Sequence, residues 1–139
     1  MVLASLSVAE HDELMPYLEE VYTSRGEYLF RPGDSADAVF FLTRGKAGVQ
    51  APTGFEDRQQ IVALLDPGAA VGEKGIAGRS RREMTVVAIE DCVFYSLGID
   101  AFTQLEQANP SLALKILKKL LGISALRLQA SSERLALVL

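Results

Sequence analysis

The spacing of apolar positions changes period twice along the chain. Over residues 7–20, Leu14, Met15 and Leu18 share one side of a short amphipathic helix, with Ser7 as its N-cap. Asp12, Glu13, Glu19 and Glu20 then read as its solvated face, and Pro16 weakens the helical pattern near its end. From about Val21 to Leu97 the pattern becomes short extended runs divided by turn residues. Glu27–Phe30 leads into the turn Arg31-Pro32-Gly33-Asp34, and Val39–Leu42 ends at Arg44-Gly45. Ala47–Gln50 resumes, Pro52–Glu56 forms a loop, and Gln60–Leu65 runs to the turn Asp66-Pro67-Gly68. Thr85–Ile89 and Val93–Leu97 complete the set. Short strands with turns at this regularity predict an all-β sandwich or roll.

From Gly98 the period is helical. Asp100–Gln107 predicts a short helix with Asp100 as its cap. Asn109-Pro110, an N-cap residue followed by proline at the first helical position, starts another that can run on toward Leu139. Leu112, Ile116 and Leu120 form the stripe that packs its first part onto the roll. A second stripe, Leu114, Leu117, Leu121, Leu128, Leu135 and Val138, has Ser124 and Ser131 in its gaps, which makes a weakened coiled-coil seam. Gly122 can mark a bend. About 30 helical residues span ~45 Å, beyond the width of such a domain. Residues 123–139 are therefore expected to lie out of reach of the roll and to need a partner, most simply a second copy meeting at Leu121, Leu128 and Leu135.

Composition narrows this to one domain, residues 1–139. Of these residues 49% are hydrophobic and 23% charged, an ordinary globular balance, and a chain of this size buries enough surface to need no metal or disulfide. The net charge of −4 offers nothing to nucleic acid or anionic lipid, so neither is an expected partner. No apolar run approaches the ~20 residues of a membrane span and the N-terminus has no signal-peptide pattern, which points to the cytoplasm. Catalytic chemistry is not provided for. His11 is the single histidine, and the single cysteine, Cys92, lies in an apolar run far from it and reads as a buried structural thiol. No Cys or His pair has metal-ligand spacing, so neither an enzyme nor a metal site is expected, and a cupin-type metalloprotein would show clustered histidines.

Two stretches carry more specific chemistry. Gly33-Asp34-Ser35-Ala36-Asp37-Ala38-Val39-Phe40-Phe41-Leu42-Thr43-Arg44-Gly45 places a buried strand between glycine turns. Val71-Gly72-Glu73-Lys74-Gly75-Ile76 is followed after five residues by Arg82, with Thr85-Val86-Val87-Ala88 beyond. Free N–H groups at a helical turn attract anions, arginine presents a donor fork matched to phosphate, and a carboxylate accepts from a sugar hydroxyl. A loop with all three suits a nucleotide.

Together, in this order, these stretches resemble the cyclic-nucleotide-binding domain family, which includes CRP/FNR-type regulators, protein kinase A regulatory subunits and cyclic-nucleotide-gated channels. The resemblance covers roughly residues 10–135. It implies a mainly β fold with flanking helices: an eight-stranded antiparallel β-roll of the double-stranded β-helix or jelly-roll type, an N-terminal helix, and two C-terminal helices that move with ligand. It also implies a phosphate-binding cassette over residues 71–85. In that cassette Glu73 would hold the ribose 2′-hydroxyl and Arg82 the cyclic phosphate of cAMP or cGMP. Amides near Gly72, Gly75 and Ile76 would line the pocket, and Glu83, Met84 and Thr85 would complete it. The terminal helix loosely resembles that of such domains appended to bacterial SulP-type anion transporters. The helix-turn-helix of a CRP-type regulator is not expected beyond it, and DNA binding is not an expected activity.

Three positions depart from the family pattern. Glu83 and Met84 stand where small residues usually follow the arginine, and Lys74 replaces a common apolar residue. Like charges ~4 Å apart at an effective dielectric of ~20 repel by about 4 kcal/mol. Either Glu83 pairs with Arg82, Arg79 or Arg81 and neutralises the pocket, or it turns to solvent and leaves Lys74, Arg79 and Arg81 to preserve an anion site. The functional alternatives follow: a nucleotide-sensing regulatory domain, or a degenerate domain acting through protein contacts.

Overall fold

A computed structural model describes residues 2–52 and 58–138. The helices are α1 (Val8–Leu14), α2 (Lys74–Ala77), α3 (Ile99–Ala108) and α4 (Pro110–Val138). The strands are β1 (Leu18–Thr23), β2 (Tyr28–Phe30), β3 (Ser35–Ala36), β4 (Ala38–Arg44) and β5 (Ala47–Pro52), then β6 (Gln59–Leu65), β7 (Ala70–Val71), β8 (Ser80–Arg81), β9 (Thr85–Ala88) and β10 (Cys92–Gly98). Two antiparallel four-stranded sheets, ordered β1-β10-β4-β7 and β2-β9-β5-β6, make the roll, and β3 and β8 pair as a small third sheet. Among the described residues ten strands thus stand where eight were expected, the shortest being the two-residue β3, β7 and β8. The loop read at Pro52–Glu56 lies, beyond Pro52, outside the described residues. Among the described residues no helix is long and apolar enough to cross a membrane.

The apolar run of β4 is explained by burial on both faces. Val39 and Phe41 join Leu14, Leu97, Phe102, Leu105, Leu112 and Ile116 beneath the helices. Leu42 joins Phe30, Ala47, Leu65, Val86, Ala88 and Phe94 inside the roll, with Phe40 packed against them. The Phe40 and Phe94 rings meet edge-on at 6.3 Å, a favourable aromatic geometry. Cys92 belongs to this inner cluster, its thiol 3.2 Å from the carbonyls of Lys46 and Glu90.

The N-terminal expectation needs correction. Ser7 does cap α1, in a reciprocal capping box with Glu10, but the helix closes at Leu14 instead of continuing to residue 20. Pro16 lacks an N–H and its ring clashes with a continuing α-helix, so Met15–Tyr17 forms a single 3-10 turn. Leu18 then opens β1, which places Glu19 and Glu20 on a strand beside Ser96 and Tyr95. The roll therefore begins at Leu18 and not at Val21. At the other end α3 starts at Ile99 with Gly98 as N-cap, so Asp100 lies in the first turn and makes no cap. Asn109 caps α4 as expected, its Oδ1 accepting from the Leu112 amide at 3.2 Å. The helix passes Gly122 without interruption. Leu112, Ile116 and Leu120 are buried beneath it, whereas Leu114, Leu121, Leu128 and Leu135 are exposed.

Candidate functional site

The residues singled out between Val71 and Thr85 form one continuous structural unit. β7 ends at Val71, Gly72 turns the chain at φ +77°, Glu73 precedes the single turn of α2, and β8 leads through Arg82–Met84 into β9. Positive φ at Gly72 suits a residue without a Cβ, and a Cβ there would sit 2.7 Å from Arg82 Nη1. Gly75 has a different reason. Its Cα lies against β4, so that a Cβ would overlap the backbone oxygen and nitrogen of Ala38. The two glycines bring the cassette close enough to β4 for Arg82 to bridge them.

Arg82 is the one charged residue that is buried among the described residues, 5% exposed. Its backbone continues the β3–β8 ladder, with the Arg82 amide donating to Asp34 O at 2.8 Å and Gly33 N–H donating to Arg82 O at 3.0 Å. The side chain turns inward. Nη1 donates to Gly72 O at 3.1 Å and Nη2 to Ala38 O at 2.5 Å. The guanidinium stacks 4.2 Å from the centroid of the Phe30 ring, and Nε is buried without a hydrogen-bond partner. Burial works to lower the Arg82 pKa, while Asp37, Glu73 and Asp34 oppose it through charge. Both bonded partners are carbonyls, so no carboxylate is in contact with this buried cation.

The other predicted residues are placed as follows. The Gly75 amide donates to Gly72 O at 2.9 Å and the Ile76 amide to Glu73 O at 3.2 Å, so both are used within the turn. Ile76 packs partly buried against the helix-side core. Thr85 is buried on β9 opposite Gln50, and Met84 is 45% exposed. Glu83 turns to solvent, the second of the two courses expected of it, but Lys74 is not left free: the Glu83 carboxylate lies 3.4 Å from Lys74 Nζ, with the side chains 84% and 45% exposed. The two unusual residues neutralise each other. Arg79 instead meets Asp100 at 3.5 Å, and Arg81 donates to Gly33 O at 3.1 Å. Arg79 and Arg81, with Ser35, Ala36, Asp37 and Ser80, line an open depression of about 290 Å³.

Sequence reasoning missed two residues of this site. Ser124 Oγ donates to Glu73 Oε2 at 3.1 Å, and Arg127 Nη1 donates to Glu73 Oε1 at 2.7 Å. Arg127 Nη2 also donates to Ala70 O at 2.5 Å. The expectation that α4 leaves the roll behind from residue 123 therefore fails over one further turn. About 1.5 Å of rise per residue carries Arg127 only ~10 Å past the buried Leu120, within reach of its long side chain. Among the described residues no group of three or more His, Cys, Asp or Glu is arranged to hold a metal ion.

Residues 20–109 match the family model described as cyclic nucleotide-binding domain. The chain belongs to this family. It is 28% identical over 137 residues to glutaminase 2 of Bradyrhizobium diazoefficiens, an alignment covering 99% of this chain and 21% of that protein. A cyclic nucleotide-binding domain from Methylobacillus flagellatus superimposes with a TM-score of 0.85 at 27% identity, over 93% of this chain and 72% of that one. The Thermus thermophilus catabolite activator protein does so with a TM-score of 0.81 at 26% identity, over 99% and 62%. This cyclic nucleotide-binding domain spans about a fifth of the length of the curated relatives it matches first.

Proposed function

We propose that this domain is a regulatory sensor that binds cAMP, cGMP or a related anionic nucleotide in the cassette over residues 71–85 and relays occupancy through α3 and α4. One observation carries the reading: Arg82 is a buried cation whose partners are carbonyls and whose Nε is unpartnered. A buried charge left uncompensated costs several kcal/mol. A cyclic phosphate beside it would supply an anion in direct contact, which Asp37, Glu73 and Asp34 act on only from farther off, and Glu73 would accept from the ribose. The domain itself does no catalysis in this reading. It works in the cytoplasm without cofactor, metal or nucleic acid, as part of a longer regulatory or transport protein. Leu121, Leu128 and Leu135 give α4 a surface for a second copy or for the parent protein.

Titration calorimetry with cAMP and with cGMP tests the reading. Saturable heat that is lost in Arg82→Gln supports it, and absence of heat with either nucleotide at high micromolar concentration overturns it. The second reading, a degenerate domain acting only through protein contacts, is favoured by the Glu73–Arg127 pair, which already satisfies one of the two charges a nucleotide would use.

A further inference from the structure

Glu73 has two claimants. Under the reading above its carboxylate accepts from a ribose hydroxyl, yet both of its oxygens are engaged by α4, through Arg127 at 2.7 Å and Ser124 at 3.1 Å. The ion pair is partly withdrawn from water, with the Glu73 side chain 22% exposed. Arg127 also reaches Ala70 O, so one guanidinium ties α4 both to the end of the roll and to the start of the cassette. A sugar hydroxyl brings its ring with it. Seating that ring against Glu73 from the side of α4 requires Ser124 and Arg127 to withdraw.

The helix is arranged so that this withdrawal can be local. Leu112, Ala113, Ile116 and Leu120 anchor its first part in the core. From residue 125 to residue 137 every position is exposed, so little apolar burial holds the outer part down. Gly122, the residue that weakens a helix most after proline, lies between these two parts with open space around it. The polar contacts of Ser124 and Arg127 thus sit where a firmly packed helix becomes an unsupported one.

We propose that Ser124 and Arg127 form an intramolecular latch that competes with nucleotide for Glu73, so that nucleotide entry and release of the outer part of α4 are a single coupled event. The proposal rests on the sensor reading. Its coupling is reciprocal, because whatever frees the helix must raise nucleotide affinity by the factor with which nucleotide frees the helix. A partner that captures the exposed outer stripe would then sensitise the domain.

The test uses the full chain as wild type, Arg127→Gln and Ser124→Ala, titrated calorimetrically with cAMP and cGMP. Backbone hydrogen exchange across residues 123–137 is followed with and without nucleotide, and circular dichroism checks that each variant is folded. Arg127→Gln is expected to bind about tenfold more tightly than wild type, the effect of removing one charge-assisted competitor, and Ser124→Ala about twofold to threefold more tightly. Exchange over 123–137 should quicken in Arg127→Gln alone and in wild type at saturating nucleotide, with residues 110–121 unchanged. Equal or weaker binding by Arg127→Gln overturns the latch, as does slower exchange of the outer helix in the nucleotide complex. If wild type binds and the variants match it, only the latch falls. If neither wild type nor variants give heat, the sensor reading falls with it.

Discussion

The Glu83 carboxylate lies 3.4 Å from the ammonium of Lys74, a residue nine positions earlier that opens α2. The pair is exposed, Glu83 at 84% and Lys74 at 45% of their side-chain surfaces, so its worth to stability is small. Its effect is electrostatic: the carboxylate beside Arg82 in sequence has turned away from Arg82 in space and cancels a surface cation.

Glu83→Ala is therefore expected to strengthen cyclic nucleotide binding by only about twofold to threefold, well below the effect of ~4 kcal/mol that direct contact with a phosphate would imply. Lys74→Ala should weaken binding by a similar factor, and the double variant should return near wild type. Calorimetry at low salt and again at about 0.5 M salt checks this, since the differences should shrink under screening. A tenfold or larger gain in Glu83→Ala would place the carboxylate inside the pocket instead.

Gly72 and Gly75 should respond differently to alanine. At Gly75 the added carbon meets the Ala38 backbone, which is fixed in β4 and cannot yield. Gly75→Ala should cost about 2–3 kcal/mol of unfolding free energy in urea, at the upper end of overpacking effects. At Gly72 the added carbon meets the end of the Arg82 side chain, which can move, and the remaining penalty is the positive φ of about 1 kcal/mol. Gly72→Ala should keep most of its stability yet lose nucleotide binding, because the guanidinium must leave its seat.

Arg82 offers a sharper separation of stability from binding. Its guanidinium has no contacting carboxylate, so an apolar side chain of similar length in its place removes a buried charge without orphaning another. Arg82→Met also takes the donors from the Gly72 and Ala38 carbonyls, so it is expected to cost about 1–3 kcal/mol of unfolding free energy while abolishing the nucleotide response. A loss above about 3 kcal/mol would make Arg82 a structural clamp between Gly72 and Ala38, and the anion-receptor argument would fail.

What the sequence disclosed, and what it did not, divides by range. The Ser7 cap, the Asn109-Pro110 start and the turn glycines depend on a few adjacent residues, and each stands where it was read. The order of Gly72, Glu73 and Arg82 was likewise local enough to read. Leu18 keeps helical spacing from Leu14, which favours one helix over residues 7–20 despite Pro16. Pairing of Leu18 with Leu97 decides for a strand, and that partner is remote in the chain. Heptad spacing makes Ser124 a gap in a coiled-coil seam, whereas its hydroxyl donates to Glu73, 51 residues away. No periodicity reports such a contact.

The junction between α1 and α4 should respond to acid. Lys115 Nζ donates to Glu10 Oε1 at 2.8 Å, and the same carboxylate oxygen accepts from the Ser7 amide. The hydrogen bond from Lys115 and that from Ser7 hold the Glu10 pKa below its ordinary value of 4.5. A carboxyl whose folded pKa is depressed contributes stability above its unfolded pKa, and that contribution is lost as pH falls through the lower, folded value. The protection of the Val8–Leu14 amides against exchange, relative to their intrinsic rates at each pH, should therefore fall as the pH drops below the ordinary Glu10 value of 4.5. Glu10→Gln should show the lower protection already at neutral pH and respond less to acid. Identical profiles for wild type and Glu10→Gln would show that the contact does not hold α1 in place.

The exposed stripe of α4 supplies the last test. Leu121 is 70%, Leu128 69% and Leu135 58% exposed, and they follow one another at heptad spacing on a continuous helix. Each leucine transferred from water into an interface between copies contributes about 1.5–3 kcal/mol, enough for self-association at micromolar concentration even with the seam weakened at Ser124 and Ser131. Size-exclusion chromatography with light scattering should show a dimer for wild type and a monomer for the double substitution Leu121→Asp and Leu128→Asp. Because neither side chain packs on the roll, the double variant should retain the wild-type circular dichroism spectrum. A wild-type chain that stays monomeric up to about 100 μM would leave these leucines to a different partner and remove the second copy from the account.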